Sequence, residues 1–209
     1  MERPRLPKLY PITDARLSGL SHAEQVRRLA AGGATLIQLR EKHAGPREFY
    51  REAAEAAAVA RSLGVLLIVN DRADIALACG ADGVHLGQED LDPSAARRVV
   101  GDKFLVGYST HGVEQAAEAA RLPVDYVAIG PVFQTSTKEN PDPAVGLEGV
   151  ARARAALGPA VPLVAIGGIT LENAPAVLAA GADTVAVVSA LLAESDEIEQ
   201  RTREFLARL

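Results

Sequence analysis

A chain of 209 residues with 48% apolar and 23% charged side chains has globular composition, which excludes intrinsic disorder, and its length suits one large domain. Its formal charge of −5, from 27 acidic against 22 basic residues, gives no overall attraction to nucleic acid, so any anionic ligand must be held by local groups. The segment Met1 to Pro7 lacks the apolar core of a signal peptide, no apolar run approaches a membrane span, and the lone Cys79 excludes an intramolecular disulfide, so a cytoplasmic, membrane-free protein is expected.

Strands are expected to begin near Leu9, Thr35, Val65, Gly83, Phe104, Asp125, Pro162 and Asp183, each a short run of Val, Ile, Leu or Tyr. Between them lie helical patterns over about 21 to 31, 72 to 79, 93 to 100, 112 to 121, 146 to 157, 171 to 180 and 196 to 208. The remaining helix carries Phe49, Ala53, Ala56, Ala60 and Leu63 on one face, opposite Arg47, Glu48, Arg51, Glu55 and Arg61. A weak repeat, Leu29 to Ala34, Leu77 to Asp82 and Leu178 to Asp183, puts glycine between helix and strand, where its tolerance of left-handed dihedrals stops the helix. Cys79, in one of these apolar runs, reads as a small buried hydrophobe, and Arg97-Arg98 as a solvated helix face. Alternating strands and helices in this number predict an α/β fold, a (β/α)₈ TIM barrel spanning residues 1 to 209 as one domain, with an open doubly wound sheet as the runner-up.

In a barrel, chemistry sits in the loops after the strands. The second such loop carries Gln38-Leu39-Arg40-Glu41-Lys42, and strand alternation puts Gln38, Arg40 and Lys42 on one side, Leu39 and Glu41 on the other. The third offers Asn70 and Asp71, the fourth Gln88, Glu89 and Asp90, the fifth Ser109, Thr110 and His111. The sixth, within the long loop 131 to 145, has Thr135-Ser136-Thr137-Lys138; the seventh opens with Gly167-Gly168, and the eighth with Val188-Ser189. Glycines and Ser189 suit a phosphate on backbone N–H groups. Two aspartates among Arg40, Lys42 and Lys138 make sense if Mg²⁺ intervenes between them and a diphosphate. The residues alone therefore point to a transferase joining a monophosphate-bearing molecule to one activated as a diphosphate. A structural alternative stands beside this: Asp71 could cap the following helix, Asp90 could be a loop acid, and His85 reads as a hydrogen-bonded core residue.

The motifs from Gln38 to Lys42, Val69 to Asp71, His85 to Asp90, Gly107 to Ser109, Gly130 to Phe133, Thr135 to Lys138, Ile166 to Ile169 and Val188-Ser189 resemble thiamine phosphate synthases in order and spacing. The resemblance covers about residues 8 to 206. It implies a barrel enzyme that couples hydroxymethylpyrimidine diphosphate to a thiazole phosphate, releasing diphosphate, and also CO₂ when the thiazole is carboxylated. It implies Mg²⁺ at Asp71 and Asp90. Gln38, Arg40, Lys42, Asn70, Ser109 and Lys138 would bind the pyrimidine diphosphate, with Leu39 and Glu41 in the same motif. Thr135, Ser136, Thr137, Gly168, Val188 and Ser189 would bind the thiazole phosphate. Arg40, Ser109 and Lys138 are the expected catalytic residues, and departure of diphosphate before attack by the thiazole nitrogen needs no protein nucleophile. Gln134, Ser136 and Arg72 depart from the family's usual residues. The rivals are the related thiazole tautomerases, which have histidine where His111 stands, and a non-catalytic phosphate-binding regulatory barrel. Partners should be small molecules, and the resemblance leaves a homo-oligomer open.

Overall fold

The computed structural model describes residues 5–135 and 142–209 and contains a closed barrel of parallel strands in sequence order, β8 pairing with β1. The strands are β1 (Leu9–Thr13), β2 (Leu36–Leu39), β3 (Leu66–Asn70), β4 (Gly83–Leu86), β5 (Leu105–Thr110), β6 (Tyr126–Ile129), β7 (Leu163–Ile166) and β8 (Thr184–Val187). Closure rules out the open sheet. The helices are α1 (Ala15–Ser18), α2 (His22–Ala31), α3 (Pro46–Leu63), α4 (Ala73–Cys79), α5 (Pro93–Val100), α6 (Val113–Ala119), α7 (Gly146–Leu157), α8 (Ala174–Ala179), α9 (Ser189–Leu192) and α10 (Ile198–Arg208). The one-turn helices α1 and α9 are additions to the sequence reading; α1 forms because Asp14 accepts the Leu17 N–H as its N-cap.

Strand alternation divides the core into two layers. Tyr10, Ile12, Leu36, Ile68, Tyr126, Ala128, Val164 and Ala186 fill the barrel, while Leu9, Ile37, Leu39, Val69 and Val84 face the helices. The helices meet that outer layer largely through alanine, as in α3, whose buried face is Phe49, Ala53, Ala56, Ala57 and Ala60. Leu63, expected on that face, is exposed at the helix end. Of the repeated glycine stops, Gly80 is left-handed at φ 70°, but Gly32 is right-handed and the positive φ falls to Gly33.

The aspartates closing two of those repeats do structural work the repeat did not reveal. At the barrel's N-terminal rim, Asp82 accepts the Leu67 N–H at 2.8 Å and Asp183 the Leu163 N–H at 2.8 Å. Asp125 does the same for Val106 at 2.8 Å. Two of the three also hold an arginine: Arg154 pairs with Asp183, and Arg97 with Asp125 at 2.7 Å. Arg97 further donates to the carbonyls of Gly101, Phe104 and Pro123, so it is a rim clamp and not a solvated side chain.

Candidate active site

The opposite, C-terminal rim gathers the polar loop residues, and the two aspartates meet there. Asp71 is the one non-glycine residue with positive φ (66°) among the described residues. Its N–H donates to His85 O at 2.8 Å, which fixes that conformation and places its side chain at the rim instead of in a capping position. The N-cap of α4 is Arg72, which makes no side-chain cap bond. Asp90 holds its own loop by accepting the Gly87 N–H at 2.7 Å. Burial raises the Asp71 carboxyl, the Lys42 ammonium 2.5 Å away opposes that, and the adjoining Asp90 carboxyl adds to the rise, so the net shift is upward. Two carboxyls pressed together with one ammonium are a donor set that a hard divalent cation fits, since it would relieve their repulsion.

Strand alternation at the end of β2 holds as expected. Gln38, Arg40 and Lys42 share one side, and Arg40 is paired to Asp14 at 3.0 Å, a residue the sequence reading passed over although it follows β1 by the same rule. Leu39 is fully buried against the helices. Glu41 also turns away: it accepts the N–H groups of His43 at 2.6 Å and Ala44 at 2.9 Å. Burial pushes its carboxyl up, but these bonds and His22 outweigh that and hold it below the usual range. The side chains of Leu39 and Glu41, expected among the binding residues, are therefore not brought to the cluster; the strand's pleat points them outward. Behind Glu41, His22 Nε2 lies 3.4 Å from Glu41 and 3.8 Å from Glu52, with Nδ1 2.7 Å from Thr13 Oγ1. With the Thr13 hydroxyl donating to Nδ1, Nε2–H donates toward Glu41, while the buried Glu52 Oε2 has no hydrogen-bond partner.

Inside the barrel, Ser109 Oγ lies 2.8 Å from His85 Nε2, and His85 Nδ1 lies 3.1 Å from Tyr126 Oη. Burial pushes the His85 pKa down to about 4, so the ring is neutral over the physiological range. His85 is thus the hydrogen-bonded core residue anticipated. Gln38 and Asn70 are buried near this point, and Gln88 donates to Ser109 O at 2.6 Å. Cys79, on the far side, has its thiol pushed up by burial, as suits an inert side chain.

Across the mouth, the long loop is pinned at both ends. After the cis Gly130–Pro131 bond, Val132 N–H donates to Ile166 O at 2.8 Å and Phe133 N–H to Gly167 O at 3.0 Å. On the return, Gly146 N–H donates to Val132 O at 3.0 Å. Only glycine allows this approach: a Cβ on Gly168, at φ 64°, would lie 2.6 Å from Gln134 O and 2.8 Å from Phe133 Cβ. Gly168 thereby comes beside the segment leading into Thr135. His111 Nδ1 donates to Gly130 O at 2.8 Å and lies 3.3 Å from Asp142, so this histidine serves the base of the loop. Asn173 accepts the Thr170 N–H at 2.8 Å, which removes that donor from any phosphate cradle. Val188 is half-buried and Ser189 is exposed at the start of α9. Ser136, Thr137 and Lys138 lie outside the described residues.

A family model described as thiamine monophosphate synthase matches residues 9–191. A thiamine-phosphate synthase of Methanoregula boonei is 50% identical over 90% of this chain and 87% of its own. One from Chloroflexus aurantiacus is 46% identical over 96% and 91%. Among solved structures, a thiamine phosphate pyrophosphorylase from Pyrococcus furiosus superposes with a TM-score of 0.85 at 38% identity, over 96% of this chain and 94% of that one.

Proposed function

Since this chain belongs to the thiamine monophosphate synthase family, we propose that its rim binds hydroxymethylpyrimidine diphosphate and a thiazole phosphate and couples them to thiamine monophosphate and diphosphate. When the thiazole carries a carboxylate, CO₂ leaves as well. The observation that carries this reading is the contact of Asp71 with Asp90 beside Lys42, machinery that a double-bond shift in the thiazole would not use. Asp71 and Asp90 would hold Mg²⁺, which when bound supplies positive charge to the departing diphosphate. Lys42 and Arg40 add cationic donors there, each now held by an aspartate that keeps its side chain at the rim. Ser109 and Gln38 would orient the pyrimidine part, with Asn70 at the same edge. Bond breaking ahead of attack leaves the protein to position both partners and to stabilise charge, and no side chain need act as a nucleophile.

The thiazole phosphate would lie across the mouth, at Gly168 and Thr135 and at Val188 and Ser189. Ser136, Thr137 and Lys138 join this proposal from sequence, Lys138 as a further cation for the diphosphate. The substrates are small, charged and water-soluble, which supports a reaction in the cytoplasm; among the described residues no helix is long and apolar enough to cross a membrane. The test is incubation with both phosphorylated substrates and Mg²⁺, followed by detection of thiamine phosphate and diphosphate. Folded protein that forms neither, and instead tautomerises the thiazole, would falsify the proposal.

A further inference from the structure

A polar thread crosses the barrel beneath the rim. Gln38 Nε2 donates to Tyr10 Oη at 3.2 Å, and the Tyr10 and Tyr126 hydroxyls are 3.0 Å apart. From Tyr126 the thread continues through His85 to Ser109 by the 3.1 Å and 2.8 Å contacts already given. Tyr10, Tyr126 and His85 are all buried. Gly107 leaves room for it: a Cβ there would sit 2.1 Å from Tyr126 Cζ and 2.5 Å from His85 Nδ1. The Tyr126 and His85 rings stack with centroids 5.5 Å apart.

Buried and shut from water, each hydroxyl proton must serve a neighbour, so the donor at one end sets the direction of the whole thread. An amide nitrogen only donates. With the Tyr10 oxygen receiving Gln38, the Tyr10 proton goes to Tyr126 and the Tyr126 proton to His85 Nδ1. His85 therefore carries its single proton on Nε2 and donates it to Ser109 Oγ. That leaves the Ser109 proton pointing into the site. Run in reverse, the thread would turn that proton back to His85 and present lone pairs to the ligand.

Resting on the functional reading above, we propose that Tyr126 is a positioning residue: through His85 it orients the Ser109 hydroxyl as a donor to an acceptor atom of the pyrimidine diphosphate. Tyr10 and Gln38 set the direction in which Tyr126 points. The residues that do this lie far apart in sequence and only Gln38 and Ser109 belong to the expected binding set.

The test reads the His85 ring by ¹⁵N NMR in substrate-free, histidine-labelled protein. Nε2–H with bare Nδ1 is expected in the wild type. Tyr126→Phe, which keeps the ring and deletes the hydroxyl, should abolish the fixed tautomer and lower kcat/KM about tenfold, the worth of one ordinary hydrogen bond. Gln38→Glu, an acceptor at the head of the thread, should flip His85 to Nδ1–H; this variant decides the matter should Tyr126→Phe not fold. Nδ1–H in the wild type, a tautomer indifferent to both substitutions, or an altered tautomer with unchanged turnover in Tyr126→Phe each overturns the proposal. The spectra need no substrate, so failure of the coupling reaction itself counts against the functional reading and leaves the thread to be judged by NMR.

Discussion

Replacing Gly107 by alanine puts a methyl group where the barrel has no space. The new Cβ would lie 2.1 Å from Tyr126 Cζ, 2.4 Å from its hydroxyl and 2.5 Å from His85 Nδ1, all in buried side chains. Carbon pairs settle near 3.5 Å, so the rings must retreat by roughly 1.4 Å. A retreat of that size repacks the interior, at about 1–3 kcal/mol. It also breaks the contact between Tyr126 and His85, adding about 1 kcal/mol. The expected loss is therefore about 2–4 kcal/mol, measured as a lower urea midpoint at constant slope and checked by thermal melting. Turnover should drop further than the folded fraction accounts for, because Ser109 loses its anchor. Stability within about 0.5 kcal/mol of wild type would refute the reasoning, since it would mean that the interior yields where it is held here to be rigid.

Asp90→Asn keeps the acceptor for the Gly87 N–H while removing a charge, and should cut Mg²⁺-dependent turnover at least about a hundredfold, with no loss of stability in metal-free protein. Steady-state kinetics across a Mg²⁺ series decides it, and unchanged turnover would make the pair structural. The raised Asp71 carboxyl gives a pH signature: the metal-free protein gains stability as pH falls through that group's folded-state range, while protons compete with the cation. More Mg²⁺ should thus move the acid limb of the rate profile to lower pH; a limb that ignores Mg²⁺ argues against ligation by Asp71. Arg97→Ala removes the partner of a half-buried Asp125 and several carbonyls, for a loss of about 2–4 kcal/mol in chemical denaturation with substrate KM unaltered. A shift in KM would tie that rim to the site.

The element order was readable because helix periodicity and apolar runs alternate along the chain, and the rim residues because a barrel's chemistry follows its strand ends. Asp71, Asp90, Gln38, Arg40, Lys42 and Ser109 all emerge from that rule. Leu39 and Glu41 entered with their motif, and the pleat turns them away. Asp14 obeys the same rule as Arg40 and went unnoticed because the first loop lacks a cluster. Tyr10 and Tyr126 gave no sequence signal, since each stands alone in a strand and only barrel closure brings them together. Arg97 misled because a charge on a helix is ordinarily solvated; its partner Asp125 lies 28 residues on, just before β6, a relation that no local pattern records.

The three rim aspartates span alternate seams: Asp82 ties β4 to β3, Asp125 ties β6 to β5, and Asp183 ties β8 to β7. Six of the eight strands are thereby grouped into three two-strand staves, each fastened by a side chain, and the β4/β5 and β6/β7 seams between them have no such aspartate at that rim, among the described residues. Fluctuations should follow this grain, with amides at the N-terminal ends of the β4/β5 and β6/β7 seams exchanging with solvent sooner than those under a clamp. A barrel that breathes by staves can loosen at its base while the strand ends that hold Asp71, Asp90 and Ser109 keep their places.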